Sequence, residues 1–103
     1  DMATEIEALR SMVYRTAWML DSGNMGRDFS TYAAMCKVYG SEVLDRCVDK
    51  CLQIHGGMGY MKGYPVERMY RDARITRIFE GTNEVQRLVI ATNLFRKIGV
   101  RIR

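Results

Sequence analysis

Ile78-Phe79-Glu80-Gly81-Thr82-Asn83-Glu84-Val85-Gln86-Arg87 is the stretch whose reading decides the fold. It joins two segments of helical apolar period at a sharp break. Gly81 supplies the break, and Thr82 is a good N-cap for the second segment. The break also presents a carboxylate, Glu80, just ahead of a helix N-terminus. The dipole and free N–H groups there favour the ionised form, and burial beside Phe79 would oppose it. That balance suits a general base in a closed pocket. Spacing by itself favours the plainer reading, a surface Glu in a loop between helices.

Downstream, Val85, Leu88, Val89, Thr92 and Phe95 make one stripe, so a helix begins after Thr82. Arg96 and Lys97 complement its dipole near the end. Gly99 stops it, and Val100-Arg101-Ile102-Arg103 reads as a tail. Upstream, Pro65 suits the first position of a helix running to about Phe79, with Val66, Met69, Ala73 and Ile78 as its inner face. Arg68, Arg71, Arg74 and Arg77 recur every third residue and spiral around that helix. Such a spiral gives no single nucleic-acid face, so pairing with acidic groups on neighbouring helices or subunits is the better reading. Glu67 and Arg71 are an i, i+4 pair in the favourable order. Arg71-Asp72 reads as a structural ion pair.

Further back, a long helix runs from about Asp28, with Asp28 or Ser30 as its cap, to about Ile54. Phe29, Ala33, Cys36, Gly40, Val43, Cys47, Cys51 and Ile54 form its stripe. Gly40 costs helix propensity; close approach of a neighbouring helix is the simplest reason for it, and neutral drift is an equal alternative. His55-Gly56-Gly57-Met58-Gly59-Tyr60 ends this helix. Its glycines allow positive φ and close approach of another group to the backbone. A plain helix stop would need only one or two of them. The loop follows a helix, so it is no dinucleotide fingerprint. The first helix runs from about Met2 to Leu20, with Met2, Ile6, Leu9, Val13, Ala17 and Leu20 as its face. Met12, Trp18 and Met19 widen that face.

The chain therefore reads as all-α, an antiparallel bundle of about four helices, with residues 1–103 forming one domain or part of one. Net charge is +4, with 48% hydrophobic and 27% charged residues, ordinary for a globular protein. Cys36, Cys47 and Cys51 lie on one helix without a CxxC pair. Even with His55 they lack a fourth ligand, so no metal is expected, and reduced core thiols are the better account. No apolar run reaches membrane-spanning length. No signal peptide is expected. The chain opens directly into a helix, so an N-terminal portion is expected to be missing.

Two stretches together carry a resemblance. Gln53-Ile54-His55-Gly56-Gly57-Met58-Gly59-Tyr60 is followed by Tyr64-Pro65-Val66-Glu67-Arg68, then Tyr70-Arg71-Asp72-Ala73-Arg74-Ile75, then the Ile78–Arg87 stretch. This order and spacing resembles the C-terminal region of the acyl-CoA dehydrogenase flavoenzymes, over roughly residues 51–91. The resemblance implies a C-terminal helical bundle whose first long helix, together with an N-terminal helical domain and a middle β-domain, lies outside this chain. It implies FAD as cofactor and a homodimer or homotetramer. Gln53, Ile54, His55, Gly56 and Gly57 are then similar to the stretch that meets the FAD of an adjacent subunit, and Thr82, Asn83 and Glu84 to a further FAD-contacting stretch. Glu80 falls on the catalytic base that removes the pro-R α-proton of an acyl-CoA thioester as hydride leaves for flavin N5. Gly81 leaves room for the substrate. Electron-transfer flavoprotein is the implied acceptor, and oxidase relatives pass electrons to oxygen instead. A non-catalytic assembly module of the same lineage is the alternative. The implied location is the cytoplasm in a bacterium or archaeon and the mitochondrial matrix in a eukaryote. The isolated chain is expected to be inactive and to self-associate.

Overall fold

The computed structural model describes residues 1–102. Four longer helices and one single-turn helix make up the fold among these residues: α1 (Met2–Asp21), α2 (Arg27–His55), α3 (Gly57–Tyr60), α4 (Pro65–Ala73) and α5 (Asn83–Lys97). There is no strand among the described residues, only an isolated bridge between Lys62 and Tyr64. Arg103, the last residue of the expected tail, lies outside the described residues.

α2 is the spine. α1, α4 and α5 all pack on it. α1 runs antiparallel, with Met2 beside Cys51, Glu5 paired to Arg46, and Thr16 beside Cys36. α5 also runs antiparallel, with Asn83 against Ser41 near its start and Lys97 paired to Asp28 near its end. Val43 of α2, 1% exposed, sits deepest in the apolar core with Ala34, Val48, Met19, Val66 and Ala73. A methyl group built on Gly40 would meet Leu9 Cδ1 at 3.3 Å, so α1 does approach α2 closely at the expected glycine.

Local chemistry sets the helix ends. Thr82 caps α5, its Oγ1 accepting the Val85 N–H at 3.3 Å. At the other end Gly99, φ +84°, donates to Arg96 O and Val100 donates to Phe95 O, a Schellman closure. Pro65 opens α4 as its spacing predicts. α2 starts on Gly26 with no side-chain cap, so neither Asp28 nor Ser30 serves there.

Six expectations need correction. The buried side of α1 is Met2, Glu5, Leu9, Met12, Thr16 and Met19, while Ile6, Val13, Ala17 and Leu20 are exposed. The inner face is rotated because partners on α2 take Thr16 and Glu5, which hydropathy alone assigns outward. Ile54 is exposed, as are Val85, Leu88 and Phe95 of the expected α5 stripe and Met69 and Ile78 of the expected α4 face. The segment after α4 does not continue as an α-helix but tightens into a 3₁₀ turn at Arg74–Arg77. Arg71 pairs along its own helix with Glu67 at 3.0 Å, not with Asp72.

The molecule is long for its mass. Its radius of gyration is 16.6 Å and its extents are 53 × 30 × 21 Å, against about 13 Å for a compact chain of about 100 residues. Its surface is 7437 Å², where a compact monomer of this mass exposes about 6,000 Å². Large apolar side chains are part of that surface: Tyr14, Trp18, Met58, Tyr60, Leu88 and Ile98 all stand out from the bundle.

Candidate functional site

The turn before α5 holds two consecutive residues at positive φ. Glu80 has φ +56° and is the one non-glycine residue at positive φ among the described residues. Gly81 comes next at φ +82°. A bulky L-residue reaches this region only at a cost, of order 1–3 kcal/mol, and persists there when its surroundings over-determine it. Gln86, one turn into α5, donates from Nε2 to Glu80 O at 3.0 Å. Lys37 of α2 donates from Nζ to Gly81 O at 2.8 Å and to Asn83 Oδ1 at 2.6 Å. Asn83, 2% exposed, gives its Nδ2 to Ser41 Oγ at 2.8 Å. Ser41 Oγ in turn bonds the Lys37 carbonyl at 2.8 Å. The turn is thus tied to the spine through one polar network, buried at Asn83 and Ser41 and open to solvent at the Gly81 carbonyl.

Around this turn the charges alternate. Arg77 pairs with Asp45 and Arg87 with Glu42, so one member of the arginine-rich run and one arginine of α5 meet acidic groups on α2. The Glu84 carboxyl lies below its ordinary range. Its own backbone N–H is the main cause, opposed by slight desolvation and reinforced by the Thr82 hydroxyl and by Arg87 and Arg77. The Glu80 carboxylate is exposed in this chain. The space a Gly81 side chain would take is filled by the Gln86 amide, 2.7 Å from an ideal Cβ. Any contact of Gly81 with a ligand is therefore through its backbone.

The second candidate region is the end of α2. Gly56, φ +66°, closes the helix, its N–H reaching Leu52 O and Gln53 O at 3.1 Å. The next turn is α3. Gly59 is obligatory there, because a Cβ would fall 2.6 Å from His55 Cβ and 2.9 Å from Leu52 O. Gly56 and Gly57 have nothing within 4 Å of an added Cβ, so their backbone faces open space. Gln53, Ile54 and His55 are exposed beside them. His55 Nδ1 lies 2.8 Å from Cys51 O, and its ring stands 5.9 Å from that of Tyr64.

The two regions are not adjacent. Asn83 sits at Ser41, and Gln53 lies twelve residues further along α2, about 18 Å at 1.5 Å per residue. Thr82, Asn83 and Glu84 gather with Glu80 and Gly81; Gln53, Ile54, His55, Gly56 and Gly57 form a separate cluster. Lys37, Ser41 and Gln86 are new members that the sequence does not point to. Their signal is tertiary, spanning 44 and 46 residues for the two lysine contacts. Among the described residues no His, Cys, Asp and Glu cluster could hold a metal ion, and no helix is long and apolar enough to cross a membrane.

Both regions belong to one all-helical bundle built on α2. The chain belongs to the acyl-CoA dehydrogenase family, its residues 1–95 matching "Acyl-CoA dehydrogenase, C-terminal domain". It is 50% identical over 96 residues to the Bacillus subtilis (strain 168) protein named "Probable acyl-CoA dehydrogenase YngJ", covering 93% of this chain and 24% of that protein. It is 45% identical over 97 residues to the caffeyl-CoA reductase-Etf complex subunit CarC of Acetobacterium woodii, covering 94% of this chain and 25% of that one. The solved structure of acyl-CoA dehydrogenase complexed with FAD from Bacillus anthracis superposes with a TM-score of 0.87 at 41% identity, over 95% of this chain and 20% of that chain. The chain thus spans about a quarter of the length of the curated relatives it matches.

Proposed function

We propose that this chain is the C-terminal part of an FAD-dependent acyl-CoA dehydrogenase, with Glu80 as the base in α,β-dehydrogenation of an acyl-CoA thioester. One observation carries the reading. The carboxylate that the family resemblance assigns to the base is also the one non-glycine residue held at positive φ among the described residues. Strain of this kind collects at functional sites.

The chemistry explains why such a turn is useful. A thioester α-proton is far too weakly acidic for a carboxylate in water. Its removal needs a desolvated base and donors aimed at the developing enolate oxygen. Glu80 lies two residues before the N-cap of α5, where the unpaired N–H groups and the dipole create positive potential. Its backbone N–H is a donor toward the thioester oxygen in that field, and its side chain takes the pro-R proton. FAD, when bound, would supply the acceptor for the hydride that leaves the β-carbon. The walls that desolvate Glu80 come from other parts of the protein, which accounts for its exposure in this chain.

The residues present fit FAD at both regions. The open backbone at Gly56 and Gly57 admits close approach of an adenosine or pyrophosphate group, with Gln53, Ile54 and His55 beside it. Thr82, Asn83 and Glu84 serve at the α5 start, Asn83 by positioning, since both ends of its amide are taken within the protein. A separation of about 18 Å along α2 suits contact with the cofactors of two subunits in a homodimer or homotetramer. The exposed apolar side chains of α1 and α5 support such assembly. An electron-transfer flavoprotein is the proposed electron partner, supported by the relative that is a subunit of an Etf complex. That relative is a reductase, and in that direction Glu80 would return a proton as the acid.

Anaerobic mixing of the intact flavoprotein with acyl-CoA tests the proposal. Wild-type flavin is expected to bleach, and Glu80→Gln is expected to stay oxidised with FAD still bound. Near-normal bleaching of Glu80→Gln would overturn the assignment.

A further inference from the structure

We propose that Lys37 and Gln86 are positioning residues that hold the Glu80 backbone in its left-handed conformation; this rests on the reading of Glu80 as the base. Two consecutive residues at positive φ, +56° and +82°, do not form without support when the first is a glutamate. Each of their carbonyls is held by a different long side chain. Gln86 takes the Glu80 carbonyl at 3.0 Å, and Lys37 takes the Gly81 carbonyl at 2.8 Å.

The lysine is well placed for this task. It projects from the middle of α2, the element on which the bundle is built. Its second bond, 2.6 Å to Asn83 Oδ1, joins it to an amide that is 2% exposed and fixed by Ser41. Lys37 forms no ion pair among the described residues; its charge is spent on a carbonyl and an amide. A charged donor to a carbonyl makes a stronger bond than a neutral one. The cation also sits at the α5 start and adds to the positive potential there. Gln86 closes the other side, occupying the place of a Gly81 side chain at 2.7 Å. Neither residue touches the Glu80 carboxylate among the hydrogen bonds described, so their effect on the base runs through the backbone.

Two measurements test this with Lys37→Met and Gln86→Leu. In the 103-residue chain, the intraresidue HN–Hα nuclear Overhauser effect at Glu80 is strong only at positive φ. It is expected to weaken in both variants while far-UV helicity is retained. In the intact flavoprotein, the rate of flavin reduction by acyl-CoA is expected to fall about 10- to 100-fold, as for a reacting group displaced by about 1 Å. FAD content and acyl-CoA affinity are expected to stay within about twofold of wild type, a split that general loss of structure does not produce. Should Lys37→Met unfold the chain, Gln86→Leu carries the test, since it removes a donor without touching α2. An unchanged Overhauser effect with a reduction rate within twofold of wild type would overturn the inference. Failure of the base assignment shows separately, as near-normal reduction by Glu80→Gln.

Discussion

Asn83→Ala removes the centre of the network that fixes the Glu80 turn to α2. The amide makes two bonds at a site 2% exposed: Nδ2 donates to Ser41 Oγ at 2.8 Å, and Oδ1 accepts from the Lys37 ammonium at 2.6 Å. A neutral bond contributes about 1 kcal/mol net and a bond to a charged group about 1.5–3 kcal/mol. The groups left behind are only partly stranded. Ser41 keeps its bond to Lys37 O, and Lys37 keeps Gly81 O. The expected loss is therefore about 2–4 kcal/mol, a large share of the about 5–15 kcal/mol available to a domain. Urea unfolding at fixed protein concentration, followed by far-UV circular dichroism, measures it. Trp18 is a poor probe, because it is 68% exposed in the native state. At a slope of about 2 kcal/mol per molar urea, the midpoint falls by about 1–2 M. Asn83→Asp keeps the acceptor for Lys37 and loses only the donor to Ser41, so it is expected to fall between alanine and wild type. A loss below about 0.5 kcal/mol for Asn83→Ala, the level of an ordinary surface change, would refute the network as an anchor.

The glycines at the end of α2 separate fold from binding. Gly59→Ala drives a methyl group into His55 Cβ and the Leu52 carbonyl and is expected to destabilise by about 1–3 kcal/mol in thermal or urea unfolding. Gly57→Ala meets open space and is expected to leave stability within about 0.5 kcal/mol, yet to weaken FAD retention of the intact protein in a gel-filtration assay. Stability is also expected to fall on acidification. Glu67, through its bond to Arg71, and Glu84, through its own N–H, have folded values lowered from 4.5. A lowered carboxyl stabilises above its unfolded value and loses that contribution as pH falls through the folded one. Unfolding midpoints measured from pH 6 downward are therefore expected to drop below about pH 4.5, and less steeply in Glu67→Gln.

What was legible in the sequence was mostly local. Thr82, Pro65 and Gly99 mark helix ends through chemistry within one turn of themselves, and all three act as their positions predict. Gly40 left close approach and neutral drift equally open in the sequence, and Leu9 beside it decides for close approach. The face of α1 was not legible, because that helix carries two neighbouring apolar stripes. Arg46 and Cys36, 41 and 20 residues away, select the one holding Glu5 and Thr16. The tight turn at Arg74–Arg77 likewise lacks a proline or glycine to announce it. At the candidate site, the place of Glu80 before a helix favours by itself a plain loop carboxylate; the resemblance singles it out, and neither reveals its positive φ. That conformation depends on Lys37 and Gln86, one of them 44 residues distant from Gly81. Gly56 and Gly59 turn out to serve the fold, which leaves Gly57 as the glycine the helix end does not require.

The most direct test of Glu80 as the base tracks the proton itself. The intact flavoprotein is incubated anaerobically in D₂O with acyl-CoA, and deuterium at the α-carbon is measured by mass spectrometry. If Glu80 is the base, wild type introduces α-deuterium, and Glu80→Gln, with FAD bound and helicity intact, introduces none above the uncatalysed rate. Exchange by Glu80→Gln at the wild-type rate would contradict the assignment and place the base elsewhere.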